Sequence, residues 1–319
     1  MRVLFFGTAA FAVPSLERLV AHRSTVVLCV TQPDRPRGRG LIAGPSPVKQ
    51  AALRLRLPLS QPEHPRAELF QALHPDIGVA IAYGELLTPE VLGVSSHGMF
   101  GVHPSLLPAY RGAAPIAWAL LNGETTTGVT VFRMNEWMDA GEIVTQRRVE
   151  ILPGENAEAL TGRLADLGAE ELMRALEAVE AGQARLTPQD PAQATLASKL
   201  TKAHGRIDWR RPAEAIDRQV RALIPWPGAV STWRGQALKI LKASVGTEHR
   251  GQGVEPGTVV HVAAEALVVA TGHGVLRIEV VQLAGRRRMS VQEFLAGHPM
   301  RVGNKFETGD RRQGTGETA

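Results

Sequence analysis

Arg2-Val3-Leu4-Phe5-Phe6-Gly7, followed by Val13 to Ala21 and then by Thr25 to Thr31, decides the fold class of this chain. The first and third segments are short, continuously apolar runs, the pattern of strands covered on both faces. Val13 to Ala21 between them has helical spacing, so the order predicts parallel strands joined by a helix. The alternation continues. Ile77 to Ala82 and Met99 to His103 predict two more buried strands, while Ser46 to Leu55, Ala67 to Leu73 and Pro115 to Leu121 predict helices. Ser46-Pro47 and Thr88-Pro89 each set a capping hydroxyl before a proline at the first helical position. Gly128 to Arg133 and Ile143 to Val149 predict two further strands with Asp139 on the turn between them, and Ala157 to Ala181 a long closing helix. The sum is a mostly parallel α/β sheet over residues 1–188, with ligands expected beyond the carboxyl ends of its strands.

Past Leu186 the periodicity weakens, and Pro188-Gln189-Asp190-Pro191 opens a stretch, 189–208, that reads as a linker. From residue 209 to 306 the chain changes character. A helix at Pro212 to Leu223 precedes short β-rich segments at Ala229 to Trp233, Ala237 to Ala243, Gly257 to Val262, Ala266 to Ala270 and Gly274 to Val281. Short strands punctuated by glycine predict a small barrel or sandwich. The polar, glycine-rich residues 307–319 are expected to be a disordered tail.

Composition bounds the function. At 319 residues the chain suits two domains, with 44% hydrophobic and 21% charged residues. It has no apolar run approaching the roughly 18 residues of a membrane span. The opening apolar run lacks a small-residue cleavage site and reads as a strand, so a cytoplasmic protein is expected. One cysteine, Cys29, excludes an intramolecular disulfide and a Cys-cluster zinc site. The net charge of +5 is uneven: residues from Lys199 onward carry 19 Lys and Arg against 11 Asp and Glu, whereas residues 1–198 carry 17 against 20. A basic second half suits a polyanionic partner, although a merely soluble basic domain fits the same count.

The turn Gly7-Thr8-Ala9-Ala10-Phe11-Ala12 lacks G-x-G-x-x-G, which argues against a nicotinamide dinucleotide. No histidine pair has metal-ligand spacing, so no metal is expected. Gly101-Val102-His103-Pro104-Ser105-Leu106-Leu107-Pro108-Ala109-Tyr110-Arg111-Gly112 sets a histidine at a strand end, and Met138-Asp139-Ala140-Gly141-Glu142 supplies a carboxylate. A lone His103 is most simply a buried ring satisfied by a backbone carbonyl. With Asp139 it becomes the minimal pair for acid/base chemistry on a carbonyl. Thr31-Gln32-Pro33-Asp34-Arg35-Pro36-Arg37-Gly38-Arg39-Gly40 packs three arginines into ten residues at the end of the second strand. It is either a solvated loop or a clamp on phosphates.

The stretch from Gly101 through Arg111-Gly112-Ala113-Ala114-Pro115 resembles the active-site signature of the folate-dependent formyltransferases. The resemblance implies a Rossmann-like formyltransferase domain followed by a small OB-like β-barrel, with 10-formyltetrahydrofolate as the formyl donor and no metal. It implies that His103 is catalytic, that Asp139 pairs with it, and that Ser105, Leu106, Leu107 and Pro108 line the folate site. The arginine-rich loop is similar to an insertion of the branch acting on methionyl-tRNA, which implies that Arg35, Arg37 and Arg39 contact tRNA, with Arg39 foremost. Lys199-Leu200-Thr201-Lys202, Gly205-Arg206-Ile207-Asp208-Trp209, Pro225-Trp226-Pro227-Gly228-Ala229 and Gly285-Arg286-Arg287-Arg288-Met289 extend the resemblance to about residue 306. They imply that the C-terminal domain holds tRNA, through Arg286, Arg287 and Arg288 among others. The implied reaction formylates the amino group of methionyl-initiator-tRNA, and a monomer is expected to suffice.

The chain departs from the family at Gly101, where the family has an asparagine that helps hold the oxyanion. Loss of one such donor typically costs about 10² to 10³ in rate, roughly 2.7 to 4 kcal/mol. Asn135, a water or a backbone N–H is the expected replacement. Two other readings stay open at this point: a formyltransferase for an amino-sugar nucleotide or another small amine, and a tRNA-binding protein with impaired catalysis.

Overall fold

A computed structural model gives the structure of the protein and describes residues 1–22, 24–37, 42–247 and 253–307. The chain divides into two compact units. The first comprises Met1–Ile116, Thr125–Leu152 and Ala159–Ser198, and the second Ala117–Glu124, Pro153–Glu158 and Lys199 onward.

In chain order the elements up to residue 197 are β1 (Arg2–Gly7), α1 (Val13–Ala21), β2 (Thr25–Val30), β3 (Arg35–Arg37), β4 (Ile42–Gly44), α2 (Pro47–Arg54), β5 (Leu59–Ser60), α3 (Glu68–Gln71), β6 (Ile77–Ile81), α4 (Pro89–Leu92), β7 (Met99–His103), β8 (Arg111–Gly112), α5 (Pro115–Asn122), β9 (Thr126–Arg133), β10 (Ile143–Glu150), α6 (Ala157–Glu180) and β11 (Leu196–Ala197). The main sheet has the order β10-β9-β7-β6-β1-β2-β5. Strands β7, β6, β1, β2 and β5 are parallel neighbours, and β9 and β10 join antiparallel at one edge. The α/β expectation therefore holds. Val3, Leu4, Phe5 and Phe6 of β1 are all fully buried, because a central parallel strand is covered on both faces. Each such side chain contributes on the order of 1.5–3 kcal/mol by leaving water. In α6, Leu160, Leu164, Leu172 and Leu176 recur at helical spacing as its buried face.

Local details differ from the sequence reading. Ser46 caps α2, its hydroxyl accepting from Lys49 N at 2.9 Å, but Thr88 makes no side-chain cap on the short α4. Within and just after the arginine-rich stretch, β3 and β4 form a two-stranded ribbon in the register Arg35↔Gly44, Pro36↔Ala43 and Arg37↔Ile42, while residues 38–41 lie outside the described residues. Residues 189–198, read as the start of a linker, run inside the first unit, and β11 pairs in parallel with β8. Backbone and side-chain hydrogen bonds, rather than apolar periodicity, hold this stretch.

The second unit carries α7 (Ala213–Ala222), β12 (Ala229–Trp233), β13 (Gln236–Gly246), β14 (Val259–Ala263), β15 (Ala266–Ala270), β16 (Val275–Leu283), β17 (Met289–Ser290) and α8 (Val291–Gly297). Its antiparallel sheet runs β12-β13-β16-β15-β14, with β17 on β16. Burial alternates strictly along β12, as expected where one face meets a core and the other water. The edge strands are joined by the C-terminal segment: Val259 N donates to Asn304 O at 2.7 Å and Glu307 N donates to Thr232 O at 2.9 Å. Each edge strand is thereby paired in part. Phe306 lies fully buried with its ring centroid 5.5 Å from that of Trp209, whose indole N–H donates to Ser231 Oγ at 2.9 Å. Of the expected tail, Glu307 is paired with Thr232 as above, and residues 308–319 lie outside the described residues. Among the described residues no helix is long and apolar enough to cross a membrane.

Candidate active site

Strand β7 ends at the carboxyl edge of the parallel sheet and delivers His103 there, 6% exposed. Its Nε2 lies 2.8 Å from the Tyr110 carbonyl oxygen, and its Nδ1 lies 3.5 Å from Asp139 Oδ2. The first is a hydrogen bond in which the ring N–H donates; the second is a charge contact at longer range. Asp139 stands on the connection between β9 and β10, and its Oδ2 accepts from Gly112 N at 2.8 Å. The backbone-satisfied histidine that the sequence permits is thus present. The other ring nitrogen nonetheless faces a carboxylate brought in from another hairpin. Tyr110 (φ 61°) and Asp139 (φ 51°) both adopt the left-handed backbone region, uncommon for residues other than glycine.

The segment Ser105 to Pro108 is fixed by two side chains from the neighbouring hairpin. Thr130 Oγ1 donates to Ser105 O at 2.7 Å and accepts from Leu107 N at 3.1 Å. Gln146 Nε2 donates to Leu107 O at 2.7 Å and to Thr130 Oγ1 at 2.9 Å. The Ser105 hydroxyl donates to Ala109 O at 2.6 Å, and the Leu107-Pro108 peptide is cis. Ser105 and Leu107 are buried, whereas Leu106 and Pro108 keep part of their surface exposed. Sequence reading did not single out Thr130 or Gln146, since neither breaks the strand pattern around it.

Gly101 is not an open position. It pairs across the sheet with Phe132, and a Cβ at residue 101 would sit 2.7 Å from Phe132 Cε1 and 2.8 Å from Cζ. Phe132 is 3% exposed, so its ring has nowhere to swing without opening the core. The glycine and the phenylalanine share one volume. Asn135, a candidate replacement donor, uses its side-chain oxygen to accept from Trp137 N at 3.0 Å within its own turn. Two other reactive side chains are set aside by burial: it pushes the Cys29 thiol up to about 12, and with the nearby Glu85 charge it pushes the Tyr83 phenol up to about 12. Both stay neutral near pH 7.

The arginines are placed separately. Arg35 Nη2 lies 3.6 Å from Glu85 Oε1. Arg37 is on β3, and Arg39 lies outside the described residues. The base of the ribbon is tied through Asp34, whose Oδ2 accepts from Lys49 Nζ at 2.6 Å and whose Oδ1 accepts from Gln61 Nε2 at 2.9 Å. In the second unit Arg286, Arg287 and Arg288 are all exposed, with different surroundings for the last two. Arg287 pairs with Glu293 at 2.6 Å, which holds the Glu293 carboxyl below its usual range, and Arg288 lines a cleft of about 500 Å³ beside Lys242 and Glu279.

Comparison with known proteins follows the same division. Residues 1–176 match the formyl transferase family and residues 199–299 match its C-terminal domain family. The chain is 46% identical over 311 residues to the methionyl-tRNA formyltransferase of Roseiflexus castenholzii, covering 96% of this chain and 99% of that one. It is 42% identical over 306 residues to the methionyl-tRNA formyltransferase of Trichlorobacter lovleyi, covering 95% and 96%. Among solved structures, the sugar 3N-formyl transferase WlaRD, determined in the presence of dTDP and 5-N-formyl-THF, superposes with a TM-score of 0.68 at 18% identity, covering 90% of this chain and 99% of that one. That likeness is one of fold.

Proposed function

The chain belongs to the formyl transferase family, among the methionyl-tRNA formyltransferases, and from that membership we propose that His103 and Asp139 carry its chemistry. The reaction transfers the formyl group of 10-formyltetrahydrofolate to the amino group of methionyl-initiator-tRNA. The new bond joins the amine nitrogen to the formyl carbon as the bond from that carbon to N10 of the folate breaks; one proton leaves the amine and one arrives at N10. His103 moves that proton and meets the negative charge developing on the formyl oxygen, which requires its Nε2–H to turn from the Tyr110 carbonyl to the substrate while Nδ1 keeps facing Asp139. Asp139 holds the ring, and Gly112 N holds Asp139. The donor set fits the substrate: transfer from a tertiary amide nitrogen to an amine already partly neutral at pH 7 needs acid/base groups and positioning.

Leu106 and Pro108 line the folate side of the site, on a loop made rigid by Thr130 and Gln146. Arg35, Arg37 and Arg39 contact the tRNA end, and Arg286 to Arg288 add charge from the second unit. The observation that carries the assignment is the 3.5 Å approach of Asp139 to His103 at the strand end, in a chain related over nearly its full length to methionyl-tRNA formyltransferases. The test is formyl transfer by the purified protein from 10-formyltetrahydrofolate to methionyl-initiator-tRNA, beside an amino-sugar nucleotide as competing acceptor. Preferred use of the sugar nucleotide would reverse the reading of the arginine ribbon.

A further inference from the structure

We propose that Gln189 is a positioning residue for formyl transfer, locking the Asp139 turn to Arg111 and so fixing the carboxylate that faces His103. The inference rests on the assignment of His103 and Asp139 to the chemistry. Gln189 comes from the stretch whose composition reads as a linker, yet every hydrogen-bonding position of its amide is used. Its Oε1 accepts from Arg111 Nε at 3.0 Å and from Arg111 Nη2 at 2.7 Å. Its Nε2 donates to Asp139 O at 2.9 Å and to Gly141 O at 2.7 Å. Arg111 directly precedes Gly112, whose N–H holds the Asp139 carboxylate. The contacts therefore close a ring that runs from Gln189 through Arg111 and Gly112 to the Asp139 side chain, and from the Asp139 backbone back to Gln189.

The surrounding segment repeats the arrangement on the other strained residue. Thr195 Oγ1 accepts from Tyr110 N at 2.8 Å, and Thr195 O accepts from Arg111 N at 2.8 Å. Thr187 and Ile143 exchange two backbone hydrogen bonds of 2.8 and 2.9 Å where β10 begins. Tyr110 and Asp139, the two left-handed residues touching the His103 ring, are thus both held by residues 187–197. Backbone in that region persists where its surroundings over-determine it. A segment serving only as a covalent connection has no need of a fully bonded glutamine.

Two substitutions separate positioning from simple support. Gln189→Glu keeps two acceptors for Arg111 but loses both donors to the Asp139 and Gly141 carbonyls; Gln189→Met keeps the length and loses everything polar. Both variants are measured as full-length protein for kcat, for KM with each substrate, for the pH–rate profile and for melting temperature. A misplacement near 1 Å can cost about a hundredfold, so kcat is expected to fall roughly tenfold to a hundredfold in both variants. KM should change little, the pH–rate profile should change shape, and Gln189→Glu should melt close to the parent. Wild-type kcat and pH profile in folded Gln189→Glu overturn the proposal, even where Gln189→Met folds poorly. His103→Ala is assayed in parallel: full activity there would sink the site assignment itself, whereas an inactive His103→Ala beside a normal Gln189→Glu would sink the role of Gln189 alone.

Discussion

Two regions at the carboxyl edge of the same sheet are built on opposite plans. The Asp139 turn is tied from several sides, by Gly112 N to its carboxylate and by Gln189 to its carbonyl and that of Gly141. The ribbon of β3 and β4 has three backbone pairs, with Asp34 anchoring its base and a 3.6 Å contact between Arg35 and Glu85. Bond making on a formyl carbon loses rate steeply with small displacements of the acid/base pair, so that turn must be over-determined. Attraction of a polyanion depends on charge delivered to roughly the right place and tolerates looser mounting. The difference teaches which substitutions should damage turnover and which should damage only recruitment of the RNA.

The sharpest way to break the comparison is to remove the ring. His103→Ala is expected to lower kcat by at least about a hundredfold while leaving tRNA affinity nearly unchanged, and Asp139→Asn should lower it in the same direction. Unaltered turnover would make the tightly tied turn a structural feature alone.

Next in size is the arginine-rich loop. Arg39→Ala is expected to raise KM for the tRNA strongly and leave KM for the folate near the parent value. Affinity for tRNA should fall as salt rises, as phosphate contacts require. Salt-independent binding would remove the electrostatic half of the comparison.

The third prediction concerns Gly101. By sequence alone, Gly101→Asn should restore a lost oxyanion donor. With Phe132 Cε1 2.7 Å from the added Cβ, the single substitution is instead expected to destabilise the protein by about 1–3 kcal/mol, the usual range for overpacking. Adding Phe132→Val should recover stability, and a thermal or denaturant double-mutant cycle reads the coupling between the two sites. Additive effects would mean that the two positions do not share a volume. If the pair also raises kcat, the parent lacks a donor there; if kcat is unchanged, another group fills that role.

The smallest effect is expected from replacing Arg286, Arg287 and Arg288 together with alanine. Arg287 is already paired with Glu293, so the loss in tRNA affinity should be modest and similar for different tRNAs. Equilibrium binding at several salt concentrations measures it. A loss as large as that from Arg39→Ala would place the main RNA contact in the second unit rather than on the arginine-rich loop.

The sequence by itself determined the strand and helix alternation, the change of character beyond the 189–208 stretch, and the placement of His103 and Asp139 on two strand-end turns. These are local matters. Continuous burial of Val3 to Phe6 and the alternation along Ala229 to Trp233 follow from which faces of a strand meet water, and apolar periodicity records that directly. Resemblance to the formyltransferase signature added the roles of these residues. Only the tertiary structure decided that Phe132 fills the space beside Gly101, that Thr130 and Gln146 brace the Ser105 to Pro108 segment, and that Gln189 is bonded to Arg111 and to the Asp139 turn. It also set Phe306 in the core, beside Trp209. Each of these rests on a hydrogen bond or a shared volume between residues distant in sequence. Such a partnership leaves no trace in local periodicity, because the polar group it uses looks the same along the chain whether it meets water or another backbone.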